Sequence, residues 1–333
     1  MSADATLAES LPATCATWSE WVGFATPAAL TPIGTRFEAI AARRIGLRVL
    51  LTDAAPLALL CKLMRVDPTG PAAAHASACL AMLAREPDLV DALACCVPAL
   101  VLVMGGGGGG VVSAAEALSL IAGSAEGLRA VAAAMTRAHI LAALGHEDED
   151  AVMRTLLLVQ RLASSPDHRA MVSVVPVCEA LTAMLGPAWP AGVRTRAADA
   201  LRAAASDERC KDAVVAAGLA DSVAAMMAST AMVVRLPALS VLCAVADNGV
   251  RVGGVPRHVT MATARVIAQL VVALRAQSVR YVELGATCVR YIARHGKNVA
   301  VALLCFCVQL RRVVASVGGP GPGPVQVKCI QLV

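Results

Sequence analysis

One nine-residue pattern recurs six times along this chain, ending at Ala84, Ala122, Ala163, Ala205, Ala246 and Ala293, with spacings of 38, 41, 42, 41 and 47 residues. Four residues before each terminal alanine stands Leu80, Leu118, Val159, Leu201, Leu242 or Val289, and one residue before it Leu83, Ile121, Leu162, Ala204, Val245 or Ile292. Eight before it the residue is small: Ala76, Ala114, Thr155, Ala197, Ala238 or Gly285. Apolar or small positions at these steps define one helix face, so each unit predicts an amphipathic helix. The small residue at a fixed point lets neighbouring helices approach closely. A unit of this size cannot bury its apolar face alone and must stack on its neighbours, which directs the chain toward a helical array.

A second theme falls between these helices: VPALVLVMG ending at Gly105, RAHILAALG at Gly145, CEALTAMLG at Gly186 and DSVAAMMAS at Ser229. It predicts another short apolar helix, and three of the four copies stop at glycine, a residue suited to the left-handed conformation beyond a helix end. Ser165-Pro166-Asp167-His168-Arg169-Ala170-Met171-Val172, and Ser206-Asp207-Glu208-Arg209 followed by Val214-Val215-Ala216-Ala217-Gly218, resemble the short first helix of armadillo repeats. Pro166 suits a first turn. The order short, middle and long helix resembles the armadillo order over about residues 47 to 317, with HEAT repeats as the competing assignment. The resemblance implies an all-α, right-handed superhelical solenoid of three-helix repeats, about six units plus partial end caps. Leu47 to Met64 would supply the leading cap and Lys297 to Val317 the trailing one, while Asp247 to Pro256 reads as an enlarged loop. The expected organisation is an N-terminal segment 1–35, a repeat domain 36–317, and a tail 318–333 containing GGPGPGP, with both ends mobile.

Composition agrees with closely packed helices. The chain is 58% hydrophobic but only 2% aromatic, so its core must come from Ala, Leu and Val, and 16% charged residues are too few for a disordered chain. A net charge of +5 spread along 333 residues gives no nucleic-acid footprint, and no nucleic-acid partner is expected. Ala92 to Met104 meets six glycines and Val299 to Val308 is short, so neither predicts membrane insertion. Asp4 and Glu9 oppose a secretory signal or a transit peptide. The twelve cysteines are scattered through apolar helical segments, which predicts free thiols and a cytoplasmic or nuclear setting.

Several features look chemical and have a simpler reading. Gly105 to Gly110 has no following Lys-Ser/Thr pair and no preceding strand, so it reads as a linker between the middle and long helices. His75 with Cys79, Cys305 with Cys307, and Cys95 with Cys96 lack the compact paired spacing of structural zinc. The run His146-Glu147-Asp148-Glu149-Asp150 reads as a solvated inter-helix turn. Trp18 and Trp21 would share a helix face and cap the first repeat, and Cys329 stands fifth from the end, where prenylation needs the fourth. No catalytic residue, cofactor or metal is expected.

In armadillo proteins the long helices line a concave groove, and importin-alpha-like members carry Trp and Asn there. The positions here matching that Trp are Ala78, Glu116, Leu157, Asp199, Ser240 and Thr287, and those matching that Asn are Met82, Leu120, Arg161, Ala203, Ala244 and Tyr291, so no Asn ladder survives. What remains is a mixed, locally basic face, with Glu116, Arg154, Arg161, Arg196, Asp199, Arg202 and Tyr291 as candidate partner-binding residues. The expectation is a non-catalytic scaffold or adaptor that holds a protein segment, an extended acidic one being a candidate. The alternative is a regulatory subunit or nucleotide-exchange-type factor gripping a folded enzyme or chaperone.

Overall fold

The computed structural model describes residues 31–35, 37–38, 54–246, 251–252, 255–256, 260–274, 276 and 278–293. The Trp18/Trp21 segment, the 297–317 cap and the glycine-proline tail lie outside the described residues. The chain divides into two compact units, Met1–Val172 and Ser173–Val333.

In the first unit, α1 (Ala54–Val66) and α2 (Pro71–Ala84) form the leading partial repeat. Two 3₁₀ turns, Pro87–Leu89 and Asp91–Cys96, stand in the place of a first helix before α3 (Val97–Gly106) and α4 (Val111–Ile121). The next repeat is complete: α5 (Ala125–Ala134), α6 (Arg137–Leu144) and α7 (Glu149–Ser164). The long helix α4 packs between α2 and α7, and the middle helix α3 between α1 and α6. In the second unit, α8 (Val175–Ala183) and α9 (Ala191–Ala204) precede α10 (Glu208–Ala216), α11 (Leu219–Met227) and α12 (Met232–Ala246). An antiparallel pair of two-residue strands, β1 (Arg251–Val252) and β2 (Val255–Pro256), occupies the enlarged loop. Then come α13 (Ala264–Leu274) and α14 (Val279–Ala293), with α12 packed between α9 and α14. This is an all-α repeat fold of the solenoid class.

The nine-residue pattern maps onto all six long helices. The small residue eight before the terminal alanine is buried in every copy, as are the residues five, four and one before it. A fully buried Leu such as Leu80, Leu118, Leu201 or Leu242 contributes about 1.5–3 kcal/mol, so the same contact repeated in successive units supplies most of the cohesion between them. Two buried threonine hydroxyls are satisfied within their own helices: Thr155 Oγ1 donates to the Ala151 carbonyl at 2.8 Å and Thr182 Oγ1 to that of Cys178 at 2.7 Å.

Helix boundaries follow from capping chemistry. Ser124 caps α5 by accepting from the Gly127 N–H, and Thr136 with His139 closes a capping box on α6. The acidic run expected to be a plain solvated turn is instead the start of α7. Asp148 Oδ1 accepts from the N–H groups of Asp150 and Ala151 at 2.8 and 3.1 Å, and Glu149 and Asp150 occupy the first turn, where the helix dipole favours negative charge. The expected left-handed glycines also differ. Among the described residues only Gly107 (φ 74°) and Gly218 (φ 82°) have positive φ, and Gly145 ends α6 at φ −84°. In the glycine run, α3 continues through Gly105 and Gly106, and the chain reverses at Gly107. Pro237 lies inside α12 and cannot donate to the Val233 carbonyl; Thr195 Oγ1 of α9 donates to that oxygen at 3.4 Å.

Candidate functional site

Burial of the residues eight, five, four and one before the terminal alanine leaves one strip of each long helix open. Six residues before that alanine, Ala78, Glu116 and Leu157 in the first unit and Asp199, Ser240 and Thr287 in the second are all half-buried. Nine before it, His75, Ser113 and Arg154, then Arg196, Pro237 and Leu284, are half-buried or exposed. Two before it, Met82, Leu120, Arg161, Ala244 and Tyr291 are half-buried, and Ala203 is buried. The open strip is therefore a property of the repeat, and its side chains range from apolar to charged where the buried ones stay small or apolar.

In the first unit the strip carries a charge ladder. Glu116 of α4, its side chain only 13% exposed, accepts from Arg85 Nε and Nη2 at 3.1 and 2.8 Å, and Arg154 Nη2 of α7 lies 3.8 Å from its other oxygen. Arg85 follows the terminal alanine of α2 and was not singled out by the sequence pattern; its place just beyond a repeat end was the available signal. Arg161 does different work from a free groove cation. Its Nη1 donates to the Ser119 carbonyl and, at 3.5 Å, to that of Leu120, so it ties the C-terminal end of α4 to α7. Burial lowers its pKa from the ordinary guanidinium range. Beside it an open cleft of about 470 Å³ is lined by Ala122, Gly123, Leu128, Leu157, Gln160, Arg161, Ser164 and Ser165. His75 Nδ1 pairs with Glu38 Oε2 at the first repeat.

In the second unit the half-buried Asp199 and the exposed Arg202 form a pair at 3.8 Å along α9. Arg196 is half-buried on the same helix. Tyr291 has the guanidinium of Arg290 5.5 Å from its ring centre. The structure thus groups Glu116, Arg154 and Arg161 on the strip of one unit, and Arg196, Asp199, Arg202 and Tyr291 on long helices of the other.

The described cysteines, Cys61, Cys79, Cys95, Cys96, Cys178, Cys210, Cys243 and Cys288, are thiols. Cys178 and Cys210, of α8 and α10, approach to 3.5 Å, and burial pushes the Cys79 thiol upward. Among the described residues no group of three or more His, Cys, Asp or Glu is placed to hold a metal, and no helix is long and apolar enough to cross a membrane.

No protein-family model matches the chain and no curated protein is similar to it. Solved structures are. An engineered protein of the Northeast Structural Genomics Consortium aligns with 90% of this chain and 72% of its own, at TM-score 0.72 and 21% identity. A designed armadillo repeat protein aligns with 71% of this chain and 99% of its own, at TM-score 0.60 and 12% identity. A second designed armadillo repeat protein, solved in complex with the peptide (KR)4, covers 67% of this chain and 91% of its own, at TM-score 0.56 and 17% identity. Repeat length, helix order and these structural likenesses agree: the chain has an armadillo-like repeat fold.

Proposed function

We propose that this chain is a non-catalytic protein-interaction scaffold that holds a partner segment against the open strip of its long helices. The observation that carries the reading is the row six before each terminal alanine, which stays half-open in all six long helices while its flanking rows are buried. Packing leaves that row unconstrained, so its residues are available for recognition. The designed neighbour holding a (KR)4 peptide supports a peptide as the kind of ligand. In the first unit Arg85 and Arg154 outnumber the single Glu116 that pairs with both, which favours an extended acidic segment over a basic one.

The test is a photo-crosslinking amino acid placed on the full chain at Leu157 or Ser240, against controls at the exposed Glu126 of α5 and Asp221 of α11. Partner proteins recovered from cells should crosslink from the first pair through a contiguous segment. Crosslinking only from the control positions would place the working surface elsewhere. Crosslinks scattered over a folded enzyme or chaperone would favour a regulatory grip instead.

A further inference from the structure

Arg161 ties α7 to the end of α4 through Nη1 alone. Its Nη2 and Nε make no hydrogen bond among the described residues, and no carboxylate there pairs with it. Glu116 is taken up by Arg85 and Arg154, and neither Glu126 of α5 nor Asp167 of the turn after α7 forms an ion pair with Arg161. Glu149 and Asp150 stand at the far end of α7, about 16–18 Å away along the helix. The half-buried guanidinium is therefore an unpaired charge. Burial lowers its pKa, and no neighbouring acid works the other way. Gly123 leaves room for it, since a Cβ there would stand 3.1 Å from Arg161 Nη1.

We propose that the cleft of about 470 Å³ beside Arg161 is a carboxylate pocket, which takes one acidic residue of the bound segment onto the free edge of that guanidinium. The inference rests on the scaffold reading above and names the group its segment presents at this point. The Nε and Nη2 hydrogens lie side by side on one edge, a fork that matches the two oxygens of a carboxylate. Ser165 also lines the cleft, and its hydroxyl has no partner among the described residues, so it is available to donate to the same group. The Ser164 hydroxyl is already committed to the Gln160 carbonyl at 2.8 Å.

The rest of the lining favours a peptide residue over a free anion. The half-buried Leu128 and Leu157, with buried Ala122, give an apolar wall for the aliphatic stem of a glutamate. Gln160 lines the cleft as well, and its Oε1 is buried without a hydrogen-bond partner. Turned into the cleft, that amide oxygen accepts a main-chain N–H of the segment, so one acidic residue satisfies both the orphan acceptor and the unpaired cation. The volume has room for a side chain and the backbone that carries it. Leu157 belongs to the row six before the terminal alanine, which makes cleft and strip continuous. Arg154, two turns earlier on the same face of α7, stands about 10 Å away for a second acidic residue.

The experiment follows the Arg161 Nε–H signal of the full chain by NMR as N-acetylglutamate amide is added. N-acetylglutamine amide is the uncharged counterpart, and N-acetylleucine supplies a terminal carboxylate instead of a side-chain one. The signal should shift saturably with a carboxylate, which should bind at least about tenfold more tightly than the glutamine compound, and the tighter of the two acids identifies its source. Ser165→Asp, which puts a carboxylate into the cleft, should displace the signal without ligand and abolish the titration. Ser165→Ala should weaken it by only up to about fivefold. Circular dichroism checks that both variants fold. An equal response to the glutamine compound, or a linear shift shared with the exposed Arg129, would overturn the proposal. An octaglutamate peptide separates the pocket from the scaffold reading. Binding that Arg154→Ala weakens and Ser165→Asp does not would overturn the pocket and leave the strip standing. A glutamate titration that holds while the strip gives no crosslinks would support the pocket and remove the scaffold.

Discussion

Gly127→Ala should destabilise the first unit even though alanine is the better helix former. Gly127 lies in the first turn of α5, buried against the end of α4. A Cβ built there would stand 2.0 Å from the Ile121 carbonyl oxygen, 2.7 Å from Ile121 Cγ2 and 2.8 Å from the Ile121 carbonyl carbon. That oxygen is fixed, because it already accepts from the Ser124 N–H in the turn joining the helices. Alanine in place of glycine gains about 1 kcal/mol in an open helix. Overpacking costs about 1–3 kcal/mol, and an obstacle made of backbone puts the cost at or beyond the upper end, so the net loss should be about 2 kcal/mol. For a unit of this size that lowers the melting temperature by roughly 4–8 °C. The assay is thermal unfolding by circular dichroism, with hydrogen exchange reporting on α5. Gly145→Ala is the control: a Cβ there would meet the Leu141 carbonyl oxygen at an ordinary 3.4 Å and its φ is −84°, so it should be neutral or stabilising by up to about 1 kcal/mol. A Gly127→Ala protein melting at or above the wild type would refute the close approach of α5 to the end of α4.

Arg161→Met should cost about 1–2 kcal/mol in urea unfolding, because it strips the Ser119 carbonyl of a charged donor, while the Leu120 carbonyl keeps the Gly123 N–H at 2.9 Å; an unchanged midpoint would contradict the clamp. Tyr281→Phe should be neutral or stabilising by up to about 1 kcal/mol, since the Tyr281 hydroxyl is buried without a hydrogen-bond partner; a clear loss of stability would show that the hydroxyl is satisfied. A fluorescent acidic octapeptide should bind more tightly than (KR)4 by anisotropy, weaken as salt is added, and lose up to about fivefold in affinity with Arg154→Ala; tighter binding of (KR)4 would reverse the proposed charge preference.

The repeat was legible because its buried face is spelled with residues that have few substitutes: a small residue, an apolar one and another apolar one, at fixed steps in six copies. Its first helices were less legible because they carry fewer buried contacts. Glu208–Ala216 forms a full α-helix, Arg169–Met171 only a 3₁₀ turn, and Ala125–Ala134, a regular helix with a serine cap, was not singled out. The open strip could be read from periodicity, but the use of each side chain on it could not. Arg161 sits at an open position and bonds to carbonyls 42 and 41 residues earlier, a proximity that local spacing does not reveal. The same holds for Cys178 and Cys210, brought together from 32 residues apart. The acidic run at the start of α7 shows the opposite case, where Asp148 three residues ahead of Ala151 already carried a capping signal that a solvated-loop reading passed over.

The most direct test separates folding from recognition on the open strip. Leu157→Glu, Ser240→Glu and Thr287→Glu each replace a half-buried residue of the row six before the terminal alanine with the charge that repels an acidic segment. Each should leave stability within about 0.5 kcal/mol of the wild type, since packing there is incomplete. Combined in the full chain, they should abolish recovery of the proteins that co-purify with the wild type. Undiminished recovery from a triple variant that unfolds like the wild type would contradict the assignment of that strip as the partner surface.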